Sequence, residues 1–299
     1  MQDLIHLRAG PLTLGVKPSL GASIAYFRHG DAPILRDTPD SAVDGRDFSC
    51  FPLIPFSNRI RAAAFSFAGQ RHLIARDAED PRHALHGTSR FMPWQETART
   101  ATTLSCTLEV TPQNLDWPFF YQAWQHFELL PDRLRLSLGL RNTHSSAAPF
   151  GIGLHPYFFR APGTVLRFSA SYVWAKDGQD IPTHAIPDGG RFNFAHRHAI
   201  DGAIDNDYGG FGGAVEITAP GRPRVTLSAS PIFTQLVLFT PEGKPYFAAE
   251  PVTHRPDGIN PNGDALDEGM TILNPGETLE GSVEFMVEPE QSADSVTQL

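Results

Sequence analysis

The chain has 299 residues, 41% of them hydrophobic and 19% charged, the balance of a folded globular protein rather than a disordered one. Its net charge of −9 argues against a general binder of nucleic acid or anionic membrane. No run is long and apolar enough to span a bilayer, and MQDLIHLRAG has neither the basic nor the apolar part of a signal peptide, so a cytoplasmic location is expected.

In chain order, the first notable segment is CFPLIPFSNRI (50–60), mostly apolar until Asn58 and Arg59. HALHGTSRFMPW (83–94) then carries His86 directly before a glycine. TLSCTLEV (103–110) alternates strictly, with Leu104, Cys106, Leu108 and Val110 on one face. RLRLSLGLR (133–141) repeats the pattern with Leu134, Leu136, Leu138 and Leu140. FGIGLHPYFF (150–159) places His155 after a glycine-containing run and before Pro156 and Tyr157. AIDNDYGGFGG (203–213) offers Asp205 and Asp207, and its Asp, Asn and Gly content predicts a turn. RVTLSAS (224–230) and SVEFMVE (282–288) alternate again, and between them FAAEP ends a short apolar run on Glu250.

Alternation at period two predicts strands with one buried and one wetter face, as in stacked antiparallel sheets. No stretch of helical length keeps a 3.6 period without Gly or Pro, and 26 residues of each supply many turns. The expectation is an all-β chain, a large antiparallel β-sandwich over residues 1–288 with a flexible tail at 289–299. Loops are expected at 29–47, 76–90, 112–120, 175–213 and 251–268, where binding groups tend to collect. Cys50 and Cys106 lie in apolar surroundings and read as buried thiols.

Nucleophile-elbow, P-loop and zinc-protease motifs are absent, and GGFGGAV lacks the last glycine of a dinucleotide fingerprint. His196 and His198 lack a third ligand at a sensible spacing. What survives is acid–base chemistry by histidine and carboxylate. The segments N-R-I at 58–60, L-H-G at 85–87, G-x-x-H-P-Y-F from Gly151, I-D at 204–205, and E-P-x-T at 250–253 with a following Asn260 occur in one order. In that order they resemble the aldose 1-epimerases of the galactose-mutarotase-like superfamily.

The resemblance implies a large antiparallel sandwich and the interconversion of hexose anomers by opening and reclosing the ring. It implies Glu250 as base and His155 as acid, with His86 bonding the sugar near the reacting oxygen. Arg59 and Asp205 are the implied grips on hydroxyls, and Asn58 and Tyr157 are further implied substrate contacts. No metal and no organic cofactor are implied, and the partner is a small carbohydrate. Pro156 and Pro251 are expected to hold the backbone beside the acid and the base, which would face each other across a gap one sugar ring wide. Small Ala248 and Ala249 are expected to let a sugar approach. An asparagine common before L-H-G is missing, so Arg82 or His83 stands in as its substitute. Two alternatives stay open: a phosphorylated or sulfonated hexose held by Arg59, Arg61, Arg71, Arg82 and Arg90, or a non-catalytic carbohydrate-binding protein.

Overall fold

The computed structural model describes residues 3–111, 117–200, 202–260 and 269–289. The anticipated tail beyond residue 289 and parts of the anticipated loops, 112–116 and 261–268, lie outside the described residues. Strands form where the alternation predicts them: Thr103–Val110, Arg133–Asn142, Arg224–Ala229 and Thr278–Glu288. In each the alternating apolar residues point inward, as Thr103–Val110 shows with its four buried positions, although Ala229, at the end of its strand, is only partly buried.

These four strands belong to a nine-stranded antiparallel sheet, whose order runs through Tyr121–Leu130, Arg133–Asn142, Thr278–Glu288 and Arg224–Ala229. An eleven-stranded sheet packs against it. Phe27 and Phe158 of the larger sheet meet Phe285 of the smaller at ring-centroid distances of 6.3 and 6.0 Å. One hydrophobic core cluster draws on both sheets, from Ile5 to Val287. Cys50 and Cys106 are buried free thiols on different sheets. Among the described residues no helix is long and apolar enough to cross a membrane.

The larger sheet brings distant segments side by side. Cys50–Pro52 pairs with Leu154–Phe159, which pairs with Tyr246–Val252; then come Gln235–Thr240, Ile204–Gly209 and Tyr172–Lys176. Pleating divides each strand between two faces. Leu154, Phe158, Phe247, Ala249, Leu236, Leu238, Ile204 and Tyr208 join the core between the sheets. The alternate residues, His155, Tyr157, Ala248, Glu250, Val237, Phe239, Asp205 and Asp207, fall on the opposite face.

Three expectations need correction. Asp205 and Asp207 sit not in a turn but inside the strand Ile204–Gly209, because pairing with Gln235–Thr240 outweighs local turn preference. The anticipated 175–213 loop also contains the strand Pro182–Ile186. Ala249 packs in the core, so only Ala248 lies on the outer face.

Candidate active site

Register builds the floor of a cleft. Tyr157 pairs with Ala248 and Gly153 bridges Val252, so the residues between them bring His155 beside Glu250. His155 also pairs with Phe51, Glu250 with Val237, and Val237 with Asp207. One row therefore reads Phe51, His155, Glu250, Val237, Asp207 across five neighbouring strands. The adjacent row reads Tyr157, Ala248, Phe239, Asp205. A single-residue slip of any strand would turn its contribution into the core.

His155 Nε2 lies 3.1 Å from Glu250 Oε1, and both side chains are buried. His155 and Glu250, the implied acid and base, thus stand side by side on neighbouring strands rather than facing each other across a gap one sugar ring wide. Phe51 stacks on the His155 ring at 4.6 Å and Tyr157 tilts against the same ring at 4.4 Å, contacts that restrict the imidazole. Glu250 Oε2 and His155 Nδ1 are buried without a hydrogen-bond partner among the described residues. Orphaned buried polar atoms are rare, and here they flank an open cleft.

The walls come from loops. Asn58 and His86 both adopt positive φ, +57° and +62°, and lock together: His86 N–H donates to Asn58 O and Asn58 N–H donates to His86 Nδ1. That second bond leaves the Nε2 of a neutral His86 as a donor. Asn58 Oδ1 accepts from Arg59 N–H at 2.9 Å, and Arg59 Nε donates to Asp80 at 3.0 Å. The cleft, of about 320 Å³, is lined by Asn58, Arg59, His86, His155, Tyr157, Asp205 and Glu250 among others. The seven residues for which the family resemblance implied a catalytic or substrate contact, Asn58, Arg59, His86, His155, Tyr157, Asp205 and Glu250, thus line one cleft, of a size suited to a small ligand.

Other expectations resolve differently. Arg82 pairs with Asp80, and His83 Nδ1 accepts from Ala62 N–H; neither lines the cleft, so neither replaces the missing asparagine. Asn260 binds Ala64 O and Asp257, bracing its own loop, while Thr253 exchanges bonds with Ile152 and pins the strand beyond Glu250. The arginines considered for an anion are dispersed: Arg61 pairs with Asp177, Arg82 with Asp80, and Arg90 is buried against Asp77. Of that group only Arg59 reaches the cleft.

Arg36, Tyr246 and Phe239 line the site and were not singled out in the sequence. Arg36 stacks over the rings of Tyr157 and Tyr246 at 3.7 and 4.5 Å and gives Nη2 to main-chain oxygens of 46–48. No carboxylate among the described residues pairs with it. An arginine three residues past the short strand Ala32–Pro33 carries no signal of such a role. A neighbouring, more apolar cleft of about 350 Å³ shares Arg46 and Leu85 but includes none of His86, His155 and Glu250.

Electrostatics set the two partners apart from ordinary surface groups. Burial, then Asp205 and Asp207, pushes the Glu250 carboxyl well above its usual range. Burial, then Arg36 and Arg90, drives His155 down to about 3. His86 is lowered as well, chiefly by burial. His86, His155 and Glu250 each bring one donor atom within 4.8 Å of the others. A metal there would need the His86 lone pair that already accepts from Asn58, or the nitrogen that consequently carries hydrogen. The bonding suits proton transfer better than metal ligation.

The chain matches the family model described as aldose 1-epimerase over residues 3–286. The Escherichia coli K12 protein YphB, itself uncharacterized, is 28% identical over 94% of this chain and 98% of its own length. A crystal structure of a candidate aldose 1-epimerase from E. coli K12 superposes with a TM-score of 0.86 at 26% identity, covering 95% of this chain and 98% of that one. A galactose mutarotase-like protein from Clostridium acetobutylicum, 18% identical, gives 0.84 over 95% of each chain and shows the shared fold.

Proposed function

The chain belongs to the aldose 1-epimerase family, and from that premise we propose that it interconverts the α and β anomers of a hexose, with Glu250 and His155 as the acid–base pair. The observation that carries the reading is the 3.1 Å contact between these two buried, oppositely perturbed groups on the floor of the cleft. The hydroxyl oxygen and the ring oxygen of a cyclic hexose share one carbon, C1. Two proton-handling groups must therefore be neighbours to reach both.

Ring opening then moves one proton through each partner. Glu250 takes the proton of the C1 hydroxyl while His155 Nε2 delivers its proton to the ring oxygen, and the C1–O5 bond breaks. The products are an aldehyde at C1 and a hydroxyl at C5. Rotation about C1–C2 presents the other carbonyl face, and reversal of both transfers closes the ring to the other anomer. The pair holds one proton throughout, first on His155 and then on Glu250. Burial favours the neutral arrangement of imidazole and carboxylic acid over that of imidazolium and carboxylate, so ring opening starts from the higher-energy arrangement of the pair and relieves its buried charges as the two protons move. His86 Nε2–H donates to a sugar oxygen near C1, and Arg59 and Asp205 hold hydroxyls as donor and acceptor.

Anomeric-proton NMR on freshly dissolved α-glucose and α-galactose tests this. Glu250→Gln and His155→Ala should each slow catalysed equilibration by about 10²–10⁴-fold. Wild-type rates in both variants would overturn the assignment. A second reading, an anionic hexose as substrate, is favoured by Arg36, the cleft cation with no carboxylate partner among the described residues. Glucose 6-phosphate should then outpace glucose, and Arg36→Met should erase that advantage. A carbohydrate-binding protein without activity would bind sugar yet leave its anomerisation rate unchanged.

A further inference from the structure

Lys176 belongs to none of the motifs above and ends the strand Tyr172–Lys176. A lysine at a strand end ordinarily reaches water. Here its side chain is 8% exposed, and Nζ donates to Asp205 O at 2.8 Å and lies 3.2 Å from Asp205 Oδ1 and 3.0 Å from Asp207 Oδ2. Asp207 is fully buried, and neither of its carboxylate oxygens has a hydrogen bond of good geometry among the described residues. A buried ion pair so poorly bonded is a weak stabiliser, and an apolar pair would fill the same space at less cost. Its position offers another reason: Asp207 shares a cross-strand row with Glu250, with only Val237 between them.

We propose that Lys176 is a positioning residue of this site, anchoring Asp205 toward the sugar and balancing Asp207 so that Glu250 can accept the charge of a base. The inference rests on the acid–base reading of Glu250 and His155. Three carboxylates, Asp205, Asp207 and Glu250, lie on one sheet face, and Lys176 is the cation bonded among them. The groups facing Glu250 are His155 from one neighbouring strand, uncharged Val237 from the other, Asp205 and Asp207 beyond it, and Lys176 beyond those. Arg59 and His86 face it from the loop walls, while Arg36 and Arg90 act on His155. Removing the ammonium leaves carboxylate repulsion unopposed; removing Asp207 relieves it. The two substitutions therefore act on Glu250 in opposite directions, which loss of packing alone would not produce.

The test is the background-corrected pH profile of anomerisation for Lys176→Met, Asp207→Asn and the double variant. The limb governed by loss of the proton Glu250 holds should move to higher pH in K176M, to lower pH in D207N, and back toward wild type in the double variant. K176M should also raise KM about tenfold through the loosened Asp205, the effect of losing one charge-assisted hydrogen bond, whereas D207N should leave KM within about twofold. Unmoved limbs in both single variants overturn the proposal. If K176M does not fold, D207N decides by the same criterion. If the wild type accelerates no sugar, the catalytic reading fails separately. The charge array is then read by carbon-13 NMR titration of the Glu250 carboxyl, assigned through Glu250→Gln, and the same opposite displacements are required.

Discussion

Gly87→Ala probes how the wall of the cleft is built. His86 and Gly87 are consecutive left-handed residues, with φ of +62° and +63°. A Cβ at Gly87 would stand 2.4 Å from Ile54 O, 2.7 Å from Pro55 Cδ and 2.8 Å from Ile54 C. These are main-chain and ring atoms, which cannot swing aside as a flexible side chain can. To reach even 3.0 Å from Ile54 O the two segments must part by about 0.6 Å. Placing alanine in the left-handed region costs about 1–2 kcal/mol, and the overpacking adds about 1–3 kcal/mol. The sum, about 2–5 kcal/mol, lowers the melting temperature by roughly 4–10 °C in a chain of this size.

The displacement also strikes both hydrogen bonds between His86 and Asn58, 2.9 and 3.0 Å long, so anomerisation should slow as well. Gly69→Ala is the control: Gly69 has φ +77° but no atom within 4 Å of the added carbon, so only the conformational part of the cost applies. Differential scanning fluorimetry and anomeric-proton NMR read the two effects. A Gly87→Ala protein that melts no lower than Gly69→Ala and keeps the wild-type rate would refute the idea that close packing against Ile54–Pro55 holds His86 in place.

Other expectations follow from the buried ionisable groups. Glu250→Gln should lose activity yet melt higher than wild type at alkaline pH: the raised carboxyl contributes fully below its unfolded value and loses that contribution as pH rises through the folded one. Equal melting temperatures from pH 5 to 9 would contradict that sign. His254, buried and lowered to about 4, accepts from Ser57 N–H through Nε2. Its contribution is present above the unfolded value near 6.5 and falls away toward 4, an effect of about 3 kcal/mol, so urea midpoints should drop steeply across that range. A flat urea curve there would count against it. Gly151→Ala should also destabilise, because its Cβ would meet His254 Nε2 at 2.4 Å and drive the ring off Ser57; thermal melting checks this, and an unchanged midpoint would mean the ring relaxes freely.

Much of this molecule was legible in the order of its residues. Alternation in TLSCTLEV and RLRLSLGLR marked the strands and their inward faces, because a pleated strand buries every second side chain whatever it pairs with. His155 and Glu250 stood out for a related reason, as polar residues set in apolar segments. The segment DNDYGG misled because turn preference is a local property, whereas its strand is made by pairing with Gln235–Thr240 and by the ammonium of Lys176. Lys176 and Arg36 were invisible, since a basic residue near a strand end looks the same whether water or a carboxylate surrounds it.

What the sequence alone determined is the parity of each strand and the residue types available for proton transfer. Tertiary structure decided which strands are neighbours and in what register. Period-two alternation repeats along a strand and so carries no information about its partner, while register is chosen by the joint burial of a whole face. That choice placed His155 beside Glu250 at 3.1 Å, two residues separated by 95 positions of chain, and put Asp207 in the same row.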